Sequence, residues 1–194
     1  MNELKAIAEI NEEIKSIVCA SENISLTATN AILVARQAGI NAVGFSMVAR
    51  ELRMFSEKMS VAMQGLAGLI YWQVEVIASK RHRVRNLDLL TKAGSFGGLA
   101  QARIAQACAR SLADVDEIER LIASQVRDLQ VTMRRTGKQC TTGLAIARSA
   151  NIEAAHGGPM TPVLHQIAQN VEEVVGNIAG RVKKLEARLE VVGL

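Results

Sequence analysis

The sequence predicts an all-α protein, an antiparallel four-helix coiled-coil bundle made of two long helical hairpins. Three observations predict it. The 194-residue chain is 49% hydrophobic but only 3% aromatic. A compact globule draws more heavily on rings for its core, whereas chains rich in Ala, Ile, Leu and Val suit long packed helices. Two prolines occur, Pro159 and Pro162, so long runs carry no strong helix breaker. Apolar residues also recur at alternating steps of three and four, the spacing of a heptad seam.

The first helix is expected over about residues 3–38, its seam running through Ile10, Ile14, Ile17, Ser21, Ile24, Ala28, Ala31, Ala35 and Ala38. Large residues lie far from its end and alanines near it, so neighbouring axes should approach most closely there. Gly39 and Gly44 bracket a short break, since glycine past a helix end is the usual left-handed cap. A second helix is expected over about 45–92, with Val48, Leu52, Phe55, Met59, Ala62, Leu66 and Leu69 inward. A stutter then leads to Val74 and Ile77. The stretch Gly94-Ser95-Phe96-Gly97-Gly98 reads as a linker. A third helix is expected over about 99–156, with Ile122, Val126, Leu129, Met133, Thr136, Cys140, Gly143, Ala147, Ala150 and Ala154 inward. Gly157-Gly158-Pro159 makes a second turn. A fourth helix carries Leu164, Ile167, Val171, Val174, Ile178, Val182, Leu185 and Leu189. The organisation is thus one helical domain over 1–194: hairpin one at 1–93, linker at 94–98 and hairpin two at 99–194.

The two hairpins repeat each other. Aligning Gly39 with Gly158, 119 residues later, sets Ser21 on Cys140, Ala28 on Ala147, Ala31 on Ala150, Phe45 on Leu164 and Leu52 on Val171. Heptads align at any multiple of seven, but this offset also superposes both turns. It predicts that the turns lie at the same end of one bundle.

The segment Asn30 to Arg53 organises the first hairpin. Its residues Asn30, Ala31, Leu33, Ala35, Ala38 and Gly39, then Gly44, Phe45, Val48, Ala49, Glu51, Leu52 and Arg53, hold an ungapped pattern around the turn. That pattern resembles the cytoplasmic hairpin tip of methyl-accepting chemotaxis receptors, N-A-A-[IV]-E-A-A-R-A-G, four residues, then G-F-A-V-V-A-x-E-V-R. The family's glutamate falls on Val34 and its arginine on Gln37. In the second hairpin, Ile152-Glu153-Ala154-Ala155-His156 keeps the glutamate and places histidine where the family has arginine. The resemblance implies a tip that binds the coupling protein and the histidine kinase, or other receptor tips. It implies that Asn30, Phe45, Val48 and Glu51 face such a partner.

The remaining composition bounds the function. No run of about 18 uncharged apolar residues exists, and Met-Asn-Glu-Leu-Lys lacks the apolar core of a secretory signal. A cytoplasmic protein without a transmembrane segment is expected. Cys19, Cys108 and Cys140 lack metal-ligand spacing and are expected to be free, buried thiols. There is no Gly-rich phosphate loop, zinc pattern or nucleophile motif, so neither an enzyme, a cofactor nor a small-molecule substrate is expected. Glu12-Glu13 and Glu172-Glu173 echo the paired acids that receptors methylate, and are read as solvated faces. Tyr71 and Trp72 are read as packing residues. The net charge of +4 is modest. The run Lys80-Arg81-His82-Arg83-Val84-Arg85 suits an exposed stretch of bundle, with a nucleic-acid-binding bundle as an alternative. A further alternative is a structural bundle that forms homo-oligomers without kinase contact.

Overall fold

The computed structural model describes residues 2–94 and 101–192. The chain is all-helical, its long helices packed against one another, and no strand occurs among the described residues. Helix α1 spans Asn2–Ala38, α2 Val43–Gly94, α3 Gln101–Ala154 and α4 Thr161–Val192. Short 3-10 turns at Gly39–Ala42 and Gly158–Met160 join α1 to α2 and α3 to α4. These boundaries fall within two residues of those expected, because the breakers are so few. Gly39 has φ +74° and Gly158 has φ +58°, left-handed values that favour glycine. Pro159 follows where a proline fits the start of a helical turn. The expected linker lies outside the described residues, except that Gly94 ends α2.

The described residues fall into two compact units. The first comprises Met1–Ala67 and Val131–Leu194. Its core is a strict heptad seam on each helix. On α1 the buried positions are Ile10, Ile14, Ile17, Ser21, Ile24, Ala28, Ala31 and Ala35, as expected, whereas Ala38, expected to close the seam, is half-buried where the helix gives way to the turn. On α3 they are Met133, Thr136, Cys140, Ala147, Ala150 and Ala154, with Gly143 also buried.

On α2 and α4 the seam lies one residue beyond several expected positions. Ala49, Met63, Ala168 and Val175 are buried, whereas Val48, Ala62, Ile167 and Val174 are only half-buried. At Ala49 and Ala168, near the turns, an alanine fills the seam and the bulkier Val48 and Ile167 sit at the flank, while Met63 and Val175 fall on the heptad register four residues past Met59 and Val171. Farther along α2 the seam continues without a stutter through Met59, Met63, Leu66 and Ile70 to Gln73, while Leu69, Val74 and Ile77 are half-buried. The 119-residue offset relates these corrected seams too: Phe45 to Leu164, Ala49 to Ala168, Ser56 to Val175 and Met63 to Val182, each pair buried.

Specific contacts tie the helices of this unit together. Ser56 Oγ donates to the Ser21 carbonyl, joining α2 to α1. The Phe55 ring lies over Gly143, joining α2 to α3. Asn151 Nδ2 donates to Glu172 Oε2 at 2.6 Å, joining α3 to α4. Arg181 and Arg188 reach Glu13 and Glu9, each at 2.9 Å, joining α4 to α1. Glu13 and Glu172 therefore bridge helices rather than standing as solvated faces. Exposed pairs of this kind contribute little each; the seam supplies most of the stability. Two of its other buried hydroxyls are satisfied on their own helices, Ser21 by the Ile17 carbonyl at 2.8 Å and Thr136 by the Thr132 carbonyl at 2.9 Å.

The second unit, Gly68–Gln130, is built from α2 and α3 alone. Its buried apolar residues are Ile70, Val115 and Leu129, and the expected seam residues Ile122 and Val126 are half-buried. A helix pair lacks the further faces needed to enclose a seam. Lys80 pairs with Glu119 at 2.7 Å and Arg83 with Asp114, so part of the basic run is neutralised by α3. Trp72 is half-buried, but Tyr71 is exposed and does not pack in the core.

The thiols also differ from expectation: Cys19 is exposed, Cys108 half-buried and Cys140 buried, all three free. Burial pushes the Cys140 thiol up to about 11, against the lowering effect of a backbone hydrogen bond. Among the described residues one helical stretch, within Ile7–Gly94, is long and apolar enough to cross a membrane by length and composition, with mean hydropathy 1.3.

Candidate functional site

The site sits where the two turns meet. A Cβ on Gly158 would lie 3.5 Å from Asn41 Nδ2. A Cβ on Gly44 would collide with the carboxylate of Glu153. The two turns thus lie side by side, with the Glu153 side chain folded over the start of α2. Under the 119-residue offset, Glu153 and His156 are the counterparts of Val34 and Gln37. The second turn thus carries a glutamate and a histidine where the first has Val34 and Gln37.

The four sequence-predicted site residues fare differently. Asn30 and Glu51 are exposed, and Val48 is half-buried. Phe45 is 2% exposed and among the largest fully buried side chains. It packs the interior just inside the turns, where a ring fills space that alanines elsewhere leave. Its contribution is to hold the turn, not to present a ring to solvent.

In its place the surface carries apolar residues that sequence reasoning missed. Ile40, in the first turn, is 88% exposed, and Val43, Met47, Ile152 and Val163, beside the two turns in sequence, are exposed as well. A signal for them was present. Leu26, Leu33 and Ile40 are spaced by sevens, as are Met47, Met54 and Val61, in rows lying outside the buried seam. A heptad row that is not the core seam marks a second contact face.

Among the described residues no group of three His, Cys, Asp or Glu side chains is arranged to hold a metal ion. His156 is exposed and His165 half-buried beside the second turn. Exposed apolar side chains and the polar Asn41, Glu153 and His156 thus occur together in and beside the two turns. No family model matches the chain, no curated protein matches it, and no solved structure matches it.

Proposed function

We propose that the chain is a cytoplasmic, non-enzymatic interaction protein whose paired turns form one docking end resembling a chemoreceptor signalling tip. Its partners in this proposal are the chemotaxis coupling protein and histidine kinase, or receptor tips. The accompanying architecture is a single-chain antiparallel four-helix bundle of two fused hairpins. Contacts along the helices support it: Gly44 with Glu153 and Phe55 with Gly143 run in opposite directions on α2 and α3, as Glu9 with Arg188 and Glu13 with Arg181 do on α1 and α4. A receptor tip needs two hairpins from two chains to make four helices, whereas this chain carries both.

The observation that carries the proposal is the exposure of Ile40, Val43 and Met47 beside the second turn. Large side chains at such solvent-facing positions add nothing to the fold. They suit burial by a partner, where apolar anchors supply most of the affinity. The double variant Ile40→Asp/Val43→Asp should abolish capture of the coupling protein while shifting stability by no more than about 1 kcal/mol. Capture measured with the purified full chain, alongside a melting curve, checks this. A wild-type chain that holds none of the three partners, or a variant that binds as well as wild type, contradicts the proposal.

A further inference from the structure

We propose that Gln73 and Gln125 form one hydrogen-bonded polar layer that locks the register of α2 against α3 in the Gly68–Gln130 unit. Gln73 is 2% exposed and takes the seam position that follows Met59, Met63, Leu66 and Ile70 on α2. Among the described residues its Nε2 finds no acceptor, and the buried Oε1 of Gln125 finds no donor. The two residues lie at one level of the antiparallel pair. Lys80 reaches Glu119, Arg83 reaches Asp114, and a Cβ on Gly94 would lie 3.3 Å from Cγ2 of Ile104. Equal counts back along α2 and forward along α3 from these contacts arrive at Gln73 and at Gln125 or its immediate neighbours. A buried donor in want of an acceptor thus stands across from a buried acceptor in want of a donor. In the layer, Gln73 Nε2 donates to Gln125 Oε1, directly or across one water, so neither group goes unmade.

The apolar part of this seam does not fix the register. Ile70, Ile77 and Val84 on α2 are spaced by sevens, as are Val115, Ile122 and Leu129 on α3. A slip of one heptad therefore sets aliphatic against aliphatic again. The Lys80–Glu119 and Arg83–Asp114 pairs are largely exposed, and pairs of that kind contribute little. The amides do discriminate. A slip of one heptad parts them, and in one direction it buries Gln73 against Ile118, leaving two amides unpaired. A polar residue in an apolar seam selects register at a cost in stability. Here it does so in a unit whose buried apolar residues are Ile70, Val115 and Leu129, where packing leaves the competing pairings close in energy.

A mutant cycle in the full chain tests this. Gln73→Leu and Gln125→Leu each orphan the other amide, so each should lower the melting temperature by about 2 °C or more. The double variant should melt at or above wild type, because two apolar side chains replace the pair. Trp72, the chain's one tryptophan, adjoins the layer and reports this unit by fluorescence. Register is read by trapping. Val84→Cys, in a chain that keeps Cys108 but has lost Cys19 and Cys140, sets two thiols one heptad out of level, about 10 Å along the axis. A disulfide needs Cα atoms within about 7 Å, so only a slipped pair closes it within one chain. Oxidation should close it slowly with both glutamines present, and about tenfold or more faster in the double leucine variant. Single variants that melt no lower than wild type, or a double variant whose loss is the sum of the two, would mean separate unpaired amides. Equal trapping rates would mean that register is held without them. Each of these results overturns the proposal, and none bears on capture of the coupling protein at the turn end.

Discussion

Ile24→Asp is expected to cost about 4 kcal/mol or more, enough to unfold much of a marginally stable chain. Ile24 is 1% exposed in the middle of the α1 seam. The substitution removes the packing of a buried aliphatic side chain and sets a carboxylate where seam neighbours offer no cation. Leu26, two residues on, is 66% exposed, and Leu26→Asp should cost no more than about 1 kcal/mol, mainly helix propensity. Urea unfolding followed by circular dichroism measures both. Equal losses would mean that the α1 seam is misplaced.

Gly143→Leu should be the second large effect. A Cβ at Gly143 would lie 2.6 Å from Cε2 and Cζ of Phe55, itself 5% exposed. Leucine gains helix propensity worth nearly 1 kcal/mol, but overpacking costs about 1–3 kcal/mol and here meets a ring with little room to move. The net expectation is a loss of about 2 kcal/mol. Phe55→Ala alone should cost about 3 kcal/mol or more through the cavity it leaves. Combined, the two changes should cost clearly less than the sum, because the new side chain fills the space the ring vacates. Additive losses would show that Phe55 and Gly143 are not in contact. The repeat places Val174 and Ile24 at the corresponding positions. The α2–α3 pairing thus sets a ring on glycine where the corresponding positions of α4 and α1 carry two aliphatic side chains.

The fold class was legible because the chain offers so little else: five rings, two prolines and heptad spacing throughout. The α1 seam was legible residue by residue, since apolar or small side chains fill each of its positions. On α2 and α4 the seam was masked where it passes through Ala49, Ser56, Gln73 and Ala168 while larger Val48, Leu69 and Ile167 stand beside it. Hydrophobicity alone picks the larger neighbour; close approach of the axes at the turns picks the smaller. The site was half legible. The turn and its glycines stood out, and Asn30 and Glu51 reach the surface. Phe45 was drawn outward by a motif, whereas the first seam position of α2 puts it inside. Ile40 and Met47 went unremarked because a turn and a helix flank are not where large apolar residues are sought. Only burial separates the two heptad rows of hairpin one.

The distance between the turns within one chain tests the central claim most directly. With spin labels at Asn41 and Met160, introduced through cysteines in a chain freed of its own thiols, and diluted with excess unlabelled protein, the separation should be short. Adjacent helix axes lie about 8–10 Å apart, so label arms bring the expected value to roughly 20–30 Å. A short distance that survives dilution is the predicted result. A short distance that vanishes on dilution, or one beyond about 50 Å, the length of a 35-residue helix, would contradict a single chain that brings its two turns together.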